Sequence, residues 1–417
     1  MAMKNAFVVC GILASSALAH LHEQAVLENV HVAAQDKTQT WLEKYGKQND
    51  LGYTGPLSFS HLDYARCLED DTKDFDIAIL GMPFDTAVSY RPGARFGPYG
   101  IRVGSKRQNG QRAYTLSWGM DPYQQNTKIL DCGDVNMFIP LLRHNWMMKQ
   151  IPLSAYDNAL ALDQMEVAYS TLLARPVAKA ENDTALQDLT HVFAKDGKAH
   201  PRIVTLGGDH TIVLPILRSL HKVYGPIAVI HFDAHLDTWG YPPVGGSVQS
   251  RITHGSFFYV AWEEGLMGNN SMHAGIRCKM TGEYDITNDE QVGFKVVSTD
   301  DLDDIGITEV IRRIRKRIGD SPVYLSLDID VIDPGLAPAT GTPEAGGWTT
   351  REVKRIIRGL SGLNFVGADV VEVAPAYDHA DITSIAAADI IHDFLSMMMS
   401  TEPPKSRDER KPWKDEL

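Results

Sequence analysis

Short apolar runs alternate with longer amphipathic stretches from residue 76 to about residue 400, and this alternation constrains the fold more than any other feature. Uninterrupted apolar runs of this length are typical of parallel strands that are covered on both faces. They predict strands at 77–80, 129–130, 203–206, 227–232, 296–297, 323–327 and 366–371. Amphipathic stretches predict helices at 163–174, 211–224, 308–318, 350–360 and from 382 to about 400. We therefore predict an α/β chain that forms a three-layer α/β/α sandwich around a mainly parallel sheet.

Acidic residues and histidines directly follow three of the predicted strands. His210 comes after the strand at 203–206, a group around Asp233 after 227–232, and a pair of aspartates after 323–327. Ligands of open α/β sheets bind beyond the carboxyl ends of the strands, so these clusters are expected to converge at one edge. The predicted ligand residues are His210, Asp233, His235, Asp237, Asp328 and Asp330.

The spacing within two of these clusters is regular. Asp233, His235 and Asp237 are two residues apart, as are Asp328 and Asp330. Side chains of a strand alternate between its faces, so we expect each set to point to one side. Asp209 has a more ordinary explanation, because an aspartate after a strand is often the cap of the following helix.

So many buried charges on one face require a counter-charge, and a metal supplies it better than the few cations nearby. Four carboxylates and two imidazoles exceed the ligand set of one zinc ion and suit hard divalent ions. The set fits two ions about 3.5–4 Å apart that share carboxylates and a bridging water. We predict two Mn²⁺ per subunit, in preference to iron, cobalt or nickel.

The charge and hydropathy of the chain exclude two classes of partner. The formal net charge is -13, whereas nucleic-acid binding requires a basic face. No internal apolar run reaches the roughly 18 residues that a membrane-spanning helix needs. We therefore expect neither a nucleic-acid nor a membrane partner.

Both ends of the chain resemble targeting segments. Residues 1–19 combine Lys4, an apolar stretch and a small-x-small site ending at Ala19, which is typical of a secretory signal peptide. The charged tail at 401–417 ends in the sequence KDEL, which the retention receptor of the endoplasmic reticulum binds. Between them we predict an N-terminal arm at 20–70 and a catalytic domain at 71–400. The expected location is the lumen of the endoplasmic reticulum.

The cysteines are few, so they do not form a disulfide framework. Without Cys10, which lies in the signal peptide, three remain, and they allow at most one bridge. Sequence alone leaves that bridge and buried free thiols as equal alternatives. Glycosylation acceptor motifs begin at Asn182 and Asn269, and their use is likewise left open.

The three clusters and their flanking residues resemble the signatures of the arginase/agmatinase ureohydrolase family. They read GGDH at 207–210, DAHLD at 233–237 and SLDIDVIDP at 326–334. Further similar motifs are PFD at 83–85, RPGARFGP at 91–98, GTPE at 341–344 and DVVEVAP at 369–375. The resemblance extends from about residue 77 to residue 388, and the motif at 91–98 resembles the agmatinase and guanidinobutyrase branch.

The resemblance implies an arginase-like fold, an activity and roles for individual residues. It implies that His210, Asp233, Asp237 and Asp328 bind one manganese ion, and that Asp233, His235, Asp328 and Asp330 bind the other. His254 matches the histidine that shuttles protons, and Glu372 matches the glutamate that holds the substrate guanidinium. The implied reaction is hydrolysis of a small guanidino compound, preferably agmatine, to urea and an amine. A homo-oligomer, trimeric or hexameric, is implied as well.

Several alternatives remain open from the sequence. A 4-guanidinobutyrase would use the same machinery and need a cation for the carboxylate tail of its substrate. Arg251 is the one cation in the Pro/Gly-rich loop after Trp239, although a solvated surface arginine is its more ordinary role. A deacetylase shares the broad architecture but typically uses one zinc ion, and a non-catalytic lumenal protein with a relic fold would not need the complete ligand set.

Overall fold

The computed structural model describes residues 57–135, 137, 157–178, 194–240 and 248–405. The predicted signal peptide, the predicted arm up to residue 56, the retention sequence and the acceptor motif at Asn182 therefore lie outside the described residues. Within the described ranges, no helix has both the length and the apolar character required to cross a membrane.

Eight strands form one sheet, and every pair of neighbouring strands is parallel. Their order across the sheet is β2-β1-β3-β8-β7-β4-β5-β6. The strands are β1 Ile77–Gly81, β2 Ile129–Asp134, β3 Arg202–Leu206, β4 Ala228–Phe232, β5 Met272–Ile276, β6 Val296–Ser298, β7 Pro322–Asp328 and β8 Asn364–Val371. All seven predicted strands are present.

Helices cover both faces of this sheet. They are α1 Gly97–Gly104, α2 Asn158–Leu173, α3 Val213–Tyr224, α4 Phe257–Glu263, α5 Glu283–Val292, α6 Asp301–Ile305, α7 Ile307–Ile318, α8 Thr350–Gly359 and α9 Ile382–Met398. One apolar core joins the sheet to α1 and α6–α9, and a second joins its other face to α2–α5. Burial of apolar side chains on both faces stabilises this arrangement. The predicted three-layer sandwich with a parallel sheet is confirmed.

Local sequence accounts for the helix boundaries where capping residues are present. Thr349 caps α8 by accepting a hydrogen bond from the amide of Glu352, and the Glu352 side chain accepts one from the Thr349 amide in return. Such a capping box satisfies two amides that the first helical turn leaves without partners. Val353, Ile356 and Ile357 then lie on the buried face of α8, so the predicted start at residue 350 is correct.

The prediction missed β5 and four of the helices, α1, α4, α5 and α6. In β5, His273 and Gly275 interrupt the apolar pattern, although all five residues of the strand are buried. The missed helices have only five to ten residues. Helices this short owe their stability to tertiary packing rather than to local propensity, so their sequences carry little signal.

A disulfide attaches the segment before β1 to the sheet. Cys67 and Cys132 are bonded, with an S–S distance of 2.04 Å, and Cys278 is a free thiol. Near this bridge, the amide of Phe59 donates to Asp131 Oδ2 at 2.7 Å. The bonded cysteines are 65 residues apart, a separation at which closing the loop is worth roughly 4 kcal/mol of stability in the chain-entropy description.

Candidate functional site

Side chains at the end of β7 and in the segments just after β3 and β4 converge at the carboxyl edge of the sheet. His210 Nδ1 lies 3.1 Å from Asp233 Oδ2, 3.2 Å from Asp237 Oδ2 and 3.3 Å from Asp328 Oδ2. The side chains of His210 and these three aspartates are at most 8% exposed. One imidazole nitrogen therefore faces three buried carboxylates.

A second group adjoins the first and shares one residue with it. His235 Nδ1 lies 3.1 Å from Asp330 Oδ2 and 3.3 Å from Asp233 Oδ1. The two oxygens of Asp233 thus face different groups, one around His210 and one around His235. All six predicted ligand residues meet at this position, in two groups that are joined by a carboxylate of the kind that bridges metal pairs.

The period-two argument for Asp233, His235 and Asp237 is wrong, although the three residues do come together. The strand β4 ends at Phe232, and Asp237 has a φ of 55°, a left-handed value outside the range of β-strands. Hydrogen bonds of the turn direct the side chains instead, since the amide of His235 donates to Asp233 Oδ1 at 2.6 Å. Likewise, Asp330 lies in a short 3-10 helix after β7, where its amide donates to Asp328 Oδ1 at 2.8 Å.

The pKa shifts of these groups reflect the crowding of negative charge in the cluster. Burial, together with repulsion from Asp330 and Asp233, raises the pKa of Asp328 well above its ordinary value. Burial alone would lower the pKa of His210, but the neighbouring carboxylates of Asp233, Asp237 and Asp328 raise it well above the ordinary value. Both shifts reflect buried negative charges that favour a cation at this position.

The donor set fits a pair of divalent ions. Within the described part of the chain, His210 Nδ1 and Asp330 Oδ2 are buried and have no hydrogen-bond partner. Buried polar atoms normally have partners, so two such atoms at one place indicate a ligand that the protein binds there. Four carboxylates and two imidazoles suit hard divalent metal ions.

Asp209 holds the chain near the cluster and does not face the proposed ions. Its Oδ1 accepts from the amide of Thr211 and its Oδ2 accepts from the amide of Ala87, both at 3.0 Å. Burial, and then the charge of Glu372, raises the pKa of Asp209 to about 7. Asp209 therefore caps the short 3-10 helix that follows β3, which is the ordinary role predicted from its position after a strand.

Glu372 and His254 lie beside this cluster, in direct contact with each other. Glu372 Oε1 accepts from the amide of His210 at 3.0 Å and lies 3.1 Å from His254 Nδ1. The other oxygen, Oε2, is buried and has no hydrogen-bond partner among the described residues. Glu372 also has a φ of 61°, a left-handed backbone conformation that non-glycine residues rarely adopt outside functional sites.

His254 is oriented by a residue that the sequence did not single out. Its Nε2 lies 2.8 Å from Ser89 Oγ, and its backbone amide donates to Ala87 O at 3.3 Å. Burial alone would lower the pKa of His254, but the hydrogen bond to Glu372 and the charges of Glu372, Asp237 and Asp209 raise it to about 9. Only the position of Ser89, two residues before the motif at 91–98, hinted at its contact with the site.

Gly341 leaves room next to the free oxygen of Glu372. A Cβ atom at this position would lie 3.2 Å from Glu372 Oε2 and 3.1 Å from the carbonyl oxygen of Arg91. We expect Gly341→Ala to lower kcat/KM about 10-fold. The added methyl group would displace the Glu372 carboxylate, and a displaced carboxylate orients its ligand poorly. Steady-state kinetics tests this, with metal content as the control; a parental kcat/KM would show that Gly341 does not border the substrate.

Arg251 does not offer a free cation to a substrate. Its guanidinium is paired with the carboxylate of Glu263, and its carbonyl oxygen accepts from Ser256 Oγ at 2.6 Å. The more ordinary role as a surface arginine therefore describes it better. Residues 241–247 of the same loop lie outside the described residues.

Comparisons with known proteins agree with this geometry. Residues 75–397 match the profile of the arginase family. The chain is 46% identical over 406 residues to "Putative agmatinase 1" of Schizosaccharomyces pombe, covering 96% of both chains. It is 36% identical over 356 residues to the agmatinase of Chromobacterium violaceum, covering 85% of this chain and 92% of that one. The crystal structure of proclavaminate amidino hydrolase from Streptomyces clavuligerus superposes with a TM-score of 0.67 at 30% identity, covering 84% of this chain and 99% of the other.

Proposed function

The chain belongs to the arginase family, and from this premise we propose that it is an agmatinase, which hydrolyses agmatine to putrescine and urea. Enzymes of this family cleave carbon–nitrogen bonds of guanidino groups. The observation that carries the proposal is the buried Oε2 of Glu372, which has no hydrogen-bond partner among the described residues and lies beside the two groups of carboxylates and histidines. An agmatine guanidinium supplies the planar cation that this oxygen is placed to bind.

The six residues of the cluster would hold two Mn²⁺ ions. Bound ions of this kind lower the pKa of water from about 15.7 to near 7 and so supply hydroxide at physiological pH. Glu372 binds the guanidinium and orients its carbon toward the cluster. His254, which contacts Glu372, donates the proton that the departing amine needs.

Urea release from a panel of guanidino compounds tests the substrate. Purified protein with added Mn²⁺ would be assayed with agmatine, 4-guanidinobutyrate, arginine and guanidinopropionate. We expect the highest kcat/KM for agmatine, because Arg251, the cation that the Pro/Gly-rich loop would offer to a carboxylate tail, is paired with Glu263. A higher kcat/KM for 4-guanidinobutyrate would replace agmatinase with the guanidinobutyrase alternative, and urea from no compound would refute both.

The raised pKa of His254 predicts how activity depends on pH. With a pKa of about 9, His254 loses a proton as the pH rises through that value. We therefore expect kcat to decline above about pH 9, and His254→Asn to reduce kcat about 100-fold and abolish this decline. Urea release at a series of pH values measures both, and an identical alkaline decline in the variant would contradict the assignment.

The location in the endoplasmic reticulum is part of the proposal. The signal-peptide pattern and the terminal KDEL sequence support it, and so does the Cys67–Cys132 bridge, because disulfides persist in oxidising compartments. Imaging of the full chain with and without residues 414–417 tests it; retention of both forms would count against receptor binding.

We also expect a trimer or hexamer, which light scattering of the purified protein would detect.

A further inference from the structure

A row of buried polar side chains crosses the middle of the sheet below the metal ligands. Five residues on five adjacent strands are direct register partners of one another. They are Thr205 on β3, Asp369 on β8, Ser326 on β7, His231 on β4 and His273 on β5, and each is 0% exposed. Register partners in a parallel sheet point to the same face. Since burying polar groups costs free energy unless they are hydrogen-bonded, such a row calls for a specific explanation.

One half of the row contacts His210. Asp369 Oδ1 accepts from Ser326 Oγ at 3.0 Å, and its Oδ2 accepts from the hydroxyl of Tyr324 at 2.6 Å. A serine hydroxyl has one hydrogen, so the Ser326 oxygen is left to accept from His210 Nε2, which is 2.8 Å away. The imidazole hydrogen then lies on Nε2, and Nδ1 faces the carboxylates of the cluster.

The other half of the row contacts Asp233. His231 Nε2 lies 2.9 Å from Asp233 Oδ2, and His231 Nδ1 lies 2.7 Å from His273 Nδ1. His273 Nε2 lies 2.9 Å from Asp289 Oδ1, which also accepts from Thr238 Oγ1 at 2.8 Å. The ring of Phe294 stacks on His273 with 3.8 Å between centroids, which holds the imidazole in its plane.

We propose that four residues of this row, together with Asp289, are positioning residues for the metal centre: Ser326 and Asp369 orient His210, while His231, His273 and Asp289 orient Asp233. Groups that hydrogen-bond to metal ligands fix the tautomer and direction of those ligands, and their loss typically weakens metal binding 10–100-fold. The inference rests on the proposed metal centre, because His210 and Asp233 are two of its ligands. It adds residues that do not themselves reach the ions, among them Asp369 on β8 and His273 on β5.

The experiment measures Mn²⁺ affinity by competition with a fluorescent chelator in Ser326→Ala, His273→Leu and the unchanged protein. We expect about 10-fold weaker Mn²⁺ binding in each variant. His392→Leu is the matched control, because His392 is also buried but lies on α9 beside the ring of Tyr123. Its affinity for Mn²⁺ should equal that of the unchanged protein.

The outcomes separate the row from the proposed function. Unchanged Mn²⁺ affinity in Ser326→Ala and His273→Leu would show that the row only supports packing and would overturn the inference. If His273→Leu does not fold, Asp289→Asn replaces it, since it keeps the shape of the side chain and removes its charge; parental affinity there would overturn the half that contacts Asp233. Failure of the unchanged protein to bind two Mn²⁺ ions would instead refute the proposed function.

Discussion

Asp237→Ala is expected to reduce urea release by about 1,000-fold, which corresponds to roughly 4 kcal/mol of transition-state stabilisation. Asp237 Oδ2 lies 3.2 Å from His210 Nδ1 within the group that we assign to one ion, and the side chain is only 8% exposed. Its loss removes one carboxylate from that ion and leaves His210 with fewer counter-charges. The measurement is the rate of urea release from agmatine at saturating Mn²⁺.

The same variant should bind less metal. We expect fewer than two Mn²⁺ ions per chain by elemental analysis, whereas Asp303→Ala, an exposed aspartate on α6, should keep both the rate and the metal. A near-normal rate in Asp237→Ala would refute its assignment as a ligand. Loss of activity with full metal content would mean that Asp237 acts on the substrate rather than on the ions.

Glu372→Gln is expected to lower kcat/KM about 100-fold, or roughly 3 kcal/mol, while both metal ions stay bound. The amide oxygen of glutamine can still accept from the amide of His210, so the backbone near the cluster should keep its conformation. The atom in place of Oε2, however, no longer attracts a guanidinium, and the charge-assisted pair is lost. Steady-state kinetics with agmatine measures the effect.

Metal content distinguishes this result from that of Asp237→Ala. Glu290→Gln, which changes an exposed glutamate that pairs with Lys295 on the surface, provides the matched control and should leave kcat/KM unchanged. Parental kcat and KM in Glu372→Gln would exclude Glu372 from guanidinium binding. In that case the free oxygen beside Gly341 would need another explanation.

The metal-ligand candidates were accessible from the sequence because two local patterns coincide there. Each group of acidic residues and histidines follows an uninterrupted apolar run, and the ends of parallel strands meet at one edge. The apolar runs also predicted the three layers, since burial on both sheet faces leaves a pattern that is visible in seven strands. The strand β5 was missed because His273 and Gly275 interrupt this pattern.

The orientation of the side chains was decided by the tertiary structure. Spacing by two predicted that Asp233, His235 and Asp237 would alternate as in a strand, whereas turn hydrogen bonds direct them. The contact between His254 and Glu372 joins residues 118 positions apart, and the bridge between Cys67 and Cys132 joins residues separated by 65. Composition and spacing carry no information about such pairs.

The sequence by itself therefore determined the fold class and the types of residue available for chemistry, because apolar periodicity and residue identity are local properties of the chain. The tertiary structure alone decided which polar atoms are paired and which remain free. Within the described ranges, it left Glu372 Oε2 without a hydrogen-bond partner and aligned Ser326 with His231 across neighbouring strands. Strand register and turn geometry follow from packing across the whole sheet, and that packing depends on contacts between residues far apart in the chain.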